Sequence, residues 1–124
     1  MYKYSVMTIG AALLLSGCVG AKEGLILNDM TKKLLPEVKQ EAKAKKEVMQ
    51  AGQKCLHKAK SSDAANACNA MMRQKDPEIE VEDFSSWGAK ELAEVDRIAN
   101  EHVAYFDCIL ASETISKALD CKEP

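Results

Sequence analysis

Two stretches of equal length decide the fold: Cys55-Leu56-His57-Lys58-Ala59-Lys60-Ser61-Ser62-Asp63-Ala64-Ala65-Asn66-Ala67-Cys68, and Cys108-Ile109-Leu110-Ala111-Ser112-Glu113-Thr114-Ile115-Ser116-Lys117-Ala118-Leu119-Asp120-Cys121. Each holds twelve residues between its cysteines. On one straight helix, thirteen steps turn through about 1300°, roughly 220° beyond whole turns, so the two sulfurs of a pair would point apart. If the chain reverses midway, each cysteine lies about six residues from the bend, and at about 1.5 Å rise per residue the two stand level. Facing positions on closely packed helices reach the Cα separation of about 5.5 Å that a disulfide requires. Ala51, Ala59, Ala64 and Ala65 are small enough to let the backbones approach there. Of the three pairings open to four cysteines, this geometry favours Cys55–Cys68 and Cys108–Cys121.

Outward from these stretches, the periodicity is helical. Ala44, Val48, Ala51, Gly52, Cys55, Leu56 and Ala59 recur every three or four residues, which predicts a helix over about 36–60 with Pro36 at its first position, where a missing N–H costs nothing. Ser61 to Asp63 offer caps for a helix from Ala64 to about Lys75, which Asp76-Pro77 ends. The acidic run Glu78–Asp83 reads as a connector, folded back by Phe84 and Trp87. Ser85 or Ser86 is the expected cap of a third helix running to about Ala111. Its buried stripe is Leu92, Val95, Ala99, His102, Val103, Phe106, Ile109 and Leu110. After a break near residues 112–116, a short helix passes through Leu119 and Cys121. Sliding the chain by 53 residues superposes both cysteine pairs, and also Glu41 on Glu94, Ala51 on Ala104 and Ala65 on Ala118. The expected fold is all-α: two disulfide-stapled hairpins over about 36–75 and 86–124, each a long helix followed by a short one.

The amino-terminal part carries an address. Lys3 precedes an uncharged run from Val6 to Leu15, about ten residues, where a membrane-spanning helix needs roughly twenty. Leu15-Ser16-Gly17-Cys18 follows and resembles the lipobox of bacterial lipoproteins. The resemblance implies a signal peptide over residues 1–17, cleavage before Cys18, and a Cys18 that carries diacylglycerol on its thiol and a further acyl chain, such as palmitate, on its amino group. Two or more acyl chains hold a protein stably on a membrane, where one does so only marginally. Val19 follows the cysteine, not the aspartate of many lipoproteins retained on the inner membrane. That points to the outer membrane, facing the periplasm. Residues 18–35 read as a tether and 36–124 as the domain. An even count of cysteines at regular spacing suits the same oxidising compartment.

Charge is unevenly placed. Lys22 to Lys75 hold twelve Lys/Arg and six Asp/Glu, whereas Asp76 to Pro124 hold four and thirteen. The halves are complementary and suited to pack on one another. The alternative is a basic strip, Lys39, Lys43, Lys45, Lys46, Lys54, Lys58 and Lys60, offered to an anionic partner such as lipid headgroups, with Lys39, Lys43, Lys46 and Lys54 as the contacts. Export excludes nucleic acid as a partner.

Catalytic patterns are missing from the sequence: there is no nucleophile elbow, P-loop or paired catalytic acids. C-x-x-C and closely spaced Cys/His pairs are missing too. The expectation is a non-enzyme without a cofactor, a binding or structural module for another envelope protein. Two alternatives stand beside it. One is a small-ligand or soft-metal carrier using Cys55 and His57 with Met49, Met71 and Met72, although methionines at helical spacing are ordinarily core. The other is an exclusion-type or hydrolase-inhibitor lipoprotein, since small exclusion lipoproteins are similar in carrying a lipobox and a wide Cys pair followed by Asn-Ala, as in Cys68-Asn69-Ala70. His102 reads as a satisfied core histidine and His57 as a surface one.

Overall fold

The structure, a computed structural model, describes Lys3–Tyr4 and residues 23–124, with side chains from Lys32 onward. The lipobox, Cys18 and all of the signal segment except Lys3–Tyr4 therefore lie outside the described residues. In chain order the elements are β1 (Lys3–Tyr4), α1 (Glu23–Lys58), α2 (Ser62–Lys75), β2 (Ile79–Glu80), α3 (Ala89–Ala111) and α4 (Ile115–Leu119). The two short strands pair antiparallel, Lys3 with Glu80 and Tyr4 with Ile79.

α1 is the spine. Its 36 residues extend about 54 Å, and α2, α3 and α4 all pack against it. Leu35, Val38, Ala42, Lys45, Met49, Gly52 and Leu56 form one buried stripe at three- and four-residue spacing. The start of α1 corrects the expectation: the helix begins at Glu23, passes through Pro36, and takes in much of the stretch read as tether. A proline inside a helix costs about 3 kcal/mol. Leu35 and Val38, on either side of it, are 8% and 6% exposed and belong to the same core as Ile115 and Ala118 of α4. At about 1.5–3 kcal/mol for each buried aliphatic side chain, their burial offsets the proline.

α2 folds back along α1 from its N-cap Ser61, whose hydroxyl accepts the Ala64 N–H at 3.1 Å. α3 runs antiparallel to α1 on the other flank, as its cross-links to α1 show: Lys46 to Asp107, Gln53 and His57 to Asp96. Val95, Ala99, His102, Phe106 and Ile109 are buried as the pattern anticipates, Leu92, Val103 and Leu110 are half-buried, and Ile98 and Tyr105 widen the stripe. His102 donates from Nδ1 to the Ile98 carbonyl at 2.8 Å. The cap of α3 is a second correction. Neither Ser85 nor Ser86 stands at the N-cap, which is Gly88, without a side-chain bond. The Trp87 indole N–H donates to the Ala59 carbonyl at 3.0 Å and its ring meets Phe84 edge-on at 4.7 Å, so Trp87 is held outside the helix and the chain bends at Ser85 and Ser86 before α3 begins. Glu91, in the first turn of α3, substitutes for the missing cap: its own amide and the Ser86 hydroxyl hold its carboxyl below the usual range.

The contact between α1 and α2 depends on one residue. A Cβ built on Gly52 would stand 2.0 Å from Met72 Sδ and 2.8 Å from its Cγ, while Met72 itself is fully buried. A helical glycine costs about 1 kcal/mol relative to alanine, and here that cost admits the Met72 side chain. Gly52→Ala is therefore expected to destabilise by about 1–3 kcal/mol despite its better helix propensity. Thermal unfolding followed by circular dichroism should show a fall of several degrees, and adding Met72→Ala should make the two changes markedly non-additive.

Candidate functional site

Both expected disulfides are formed. Cys55–Cys68 and Cys108–Cys121 have Cα separations of 5.7 and 5.9 Å. The hinges they close are the same device used twice. Cys55 lies in the last turn of α1 and Cys108 in the last turn of α3; a three-residue turn follows each, ending in a hydroxyl cap, Ser61 or Thr114, which accepts the N–H of Ala64 or Lys117 at 3.1 Å. Buried Ala65 and Ala118 come four residues after those caps. Ser61 and Thr114 are themselves 53 residues apart, so the offset seen in the cysteines extends to the caps. Ser112 locks the second hinge further by donating from Oγ to the Cys108 carbonyl at 2.8 Å. Closing a loop of this size stabilises by about 3 kcal/mol in the chain-entropy model.

These bridges engage the Cys55 sulfur that a metal carrier would use. Met49 and Met72 are fully buried, Met71 packs against the core, and His57 Nε2 is hydrogen-bonded to Asp96 Oδ1 at 2.7 Å. Among the described residues no three His, Cys, Asp or Glu side chains gather where they could hold a metal ion.

The basic strip divides into two populations. Lys45 is 4% exposed and faces inward, with Asp76 Oδ2 and Glu78 Oε2 each at 3.2 Å and Glu41 Oε1 at 3.9 Å. Lys46 is bonded to Asp107 on α3. Together with Arg73–Asp83 and His57–Asp96 these pairs join the basic half of the chain to the acidic half. Lys43, Lys54 and Lys58 remain exposed and Lys39 is half-buried. With exposed Lys32 they fall within about 100° of arc on α1, on the side away from the buried stripe. Lys60, also exposed, sits in the turn after α1. Glu47 is the one acidic side chain within that arc among the described residues.

The second surface lies on the connector, and the sequence reading missed what holds it. Residues 76–88 retrace α2 in the opposite direction, gripped by three polar side chains spaced three and four apart. Arg73 Nη2 donates to the Val81 carbonyl at 2.7 Å, and Asn69 Nδ2 to the Glu82 carbonyl at 3.0 Å. Asn66 both accepts the Phe84 N–H at 2.7 Å and donates to the Phe84 carbonyl at 3.1 Å. Ile79 and Val81 are buried beneath this run, leaving Glu80 exposed. Past it opens a cleft of about 280 Å³ between the connector and the first two turns of α3, floored by Phe84 and Val95 and edged by Glu82, Asp83, Glu91 and Glu94, with Lys90 beside them. Arg97 bonds Glu94 and holds its carboxyl below the usual range, so Glu94 keeps its charge in mild acid.

Three outcomes are expected from these side chains. Desolvation raises the Glu41 carboxyl above its ordinary value of 4.5, with Lys45 opposing. The folded state thus holds this proton more tightly than the unfolded one, and the group's contribution to stability declines as pH rises through the folded pKa. Urea unfolding of Glu41→Gln should match the parent near pH 3.5 and show a relative gain by pH 7. Separately, if the outward lysines meet an anionic surface, Lys43→Glu with Lys54→Glu should weaken and flatten salt-dependent binding to vesicles containing phosphatidylglycerol while leaving stability within about 0.5 kcal/mol. Lys46→Glu should instead lower the melting temperature, because it sets two anions against each other at Asp107.

The chain matches no family model, no curated protein and no solved structure.

Proposed function

We propose that this chain is a lipid-anchored envelope lipoprotein whose helical domain is a non-catalytic binding or structural module for another envelope protein, with exclusion or hydrolase inhibition as specific forms of that role. The observation that carries the reading is the pair of formed disulfides, Cys55–Cys68 and Cys108–Cys121, in a chain that bears Leu15-Ser16-Gly17-Cys18. Stable structural disulfides belong to oxidising compartments, and the lipobox names the route to one. No described helix is long and apolar enough to cross a membrane, so attachment in this reading rests on Cys18.

The outward lysines of α1 support the same picture. α1 begins five residues beyond Cys18, a span of at most about 17 Å of extended chain. The lysine face, which starts at Lys32, reaches the headgroups when α1 lies along the membrane, and there each nearby cation contributes on the order of 1 kcal/mol of attraction to an anionic surface. The outer membrane, facing the periplasm, is the location that Val19 favours.

Cys18→Ala tests the anchor. The variant is expected to retain residues 1–17, to lack the added mass of diacylglycerol and acyl chain, and to fail to incorporate labelled fatty acid. A variant that is trimmed and stays with membranes as the parent does would refute the lipoprotein assignment.

A further inference from the structure

Residues Lys3–Tyr4 lie along Ile79–Glu80 as an added antiparallel strand, with a lysine in register with Glu80. Cleavage before Cys18 would remove that strand from the mature protein. The stretch it covers is well prepared for a replacement. Ile79 and Val81 are buried on its inner side, and Arg73 and Asn69 of α2 hold the Val81 and Glu82 carbonyls through hydrogen bonds in which β1 takes no part. An edge of this kind binds extended peptides through main-chain hydrogen bonds, with side chains setting the choice of sequence. Here the selecting charges are negative: Glu80 is exposed on the edge, and the acidic cleft floored by Phe84 and Val95 continues directly from Glu82.

From this juxtaposition we infer that the mature protein receives an extended peptide segment of its envelope partner by strand addition at Ile79–Glu80, with a lysine or arginine opposite Glu80. The inference deepens the proposed binding role and rests on removal of residues 1–17. Occupation of the edge by the chain's own first strand also makes the precursor a self-blocked form, opened by processing.

The test uses the processed protein, extracted from membranes in detergent. Its intact mass decides first, and independently, whether residues 1–17 are gone and the lipid is present. The probe is a carboxyl-labelled peptide of residues 1–6, Met-Tyr-Lys-Tyr-Ser-Val, followed by anisotropy and by the emission of Trp87, the one tryptophan of the chain, which contacts Phe84 at the cleft. Binding is expected to the processed protein and to be at least tenfold weaker to the Cys18→Ala precursor, whose own strand competes. Glu80→Lys should weaken the peptide at least tenfold and restore binding of a Lys3→Glu peptide. Circular dichroism of Glu80→Lys, a change at an exposed position, verifies its fold. Absence of binding to correctly lipidated protein at millimolar peptide, or binding indifferent to Glu80→Lys, overturns the inference and leaves the lipoprotein reading standing. A mass that retains residues 1–17 overturns both.

Discussion

Close approach of α1 and α2 at Gly52 is the constraint on which the rest of the molecule depends. Because no Cβ stands there, Met72 fills the space, the two backbones come near enough for Cys55 and Cys68 to join, and α2 is fixed antiparallel to the spine at a set height. That height brings the end of α2 level with Lys45, so Asp76 and Glu78 reach the buried ammonium. A buried cation left without such partners would cost several kcal/mol, so the junction of α2 and the connector is specified by charge as well as by packing. From Asp76 the chain has only to retrace α2, along side chains already placed to receive its backbone, to deliver Trp87 to Ala59 and begin α3.

The charge asymmetry of the sequence is therefore spent in two ways. Part of it is internal: Lys45, Lys46, His57 and Arg73 meet carboxylates of the second half and help to set how the two hairpins lie together. What remains is segregated by face, with lysines on the outer side of α1 and carboxylates around the connector cleft. A chain of nearly balanced net charge thus presents two surfaces of opposite sign. In the proposed membrane-tethered setting, such a domain would lie against anionic lipid with one and hold a basic partner with the other.

Helices α2, α3 and α4, their hinges and both disulfides were legible in the sequence because equal cysteine spacing and three-four periodicity each admit few geometries. Other features were hidden for identifiable reasons. The upstream extent of α1 was obscured by Pro36, whose local penalty only the burial of Leu35 and Val38 outweighs. Gly52 looks in the sequence like one more small residue of the stripe, although it is the position where the helices touch. Lys45 and Lys46 look alike as neighbours in a basic run, yet Lys45 shares the phase of Val38, Ala42, Met49 and Gly52, a signal that would have marked it as inward. Asn66, Asn69 and Arg73 resemble an ordinary solvated face. Their role becomes readable only once the connector is known to run back along α2, because backbone carbonyls leave no trace in a sequence pattern.

The paired hinges also determine how the molecule responds to load. A domain held at one end by lipid and at another by a partner is a link under tension, and force travels along whichever covalent path is shortest. Each disulfide shortens that path: between Cys55 and Cys68 it replaces thirteen residues of contour, about 45 Å when drawn out, with a step of 5.7 Å between Cα atoms. The Cys108–Cys121 bridge does the same near the other end. Both bends are thereby taken out of the extensible length, and pulling must instead separate α1 from α3 or peel the connector from Asn66, Asn69 and Arg73. The connector is the one long described stretch between the two bridges outside the helices, which makes it the mechanical fuse of a domain pulled at its two ends.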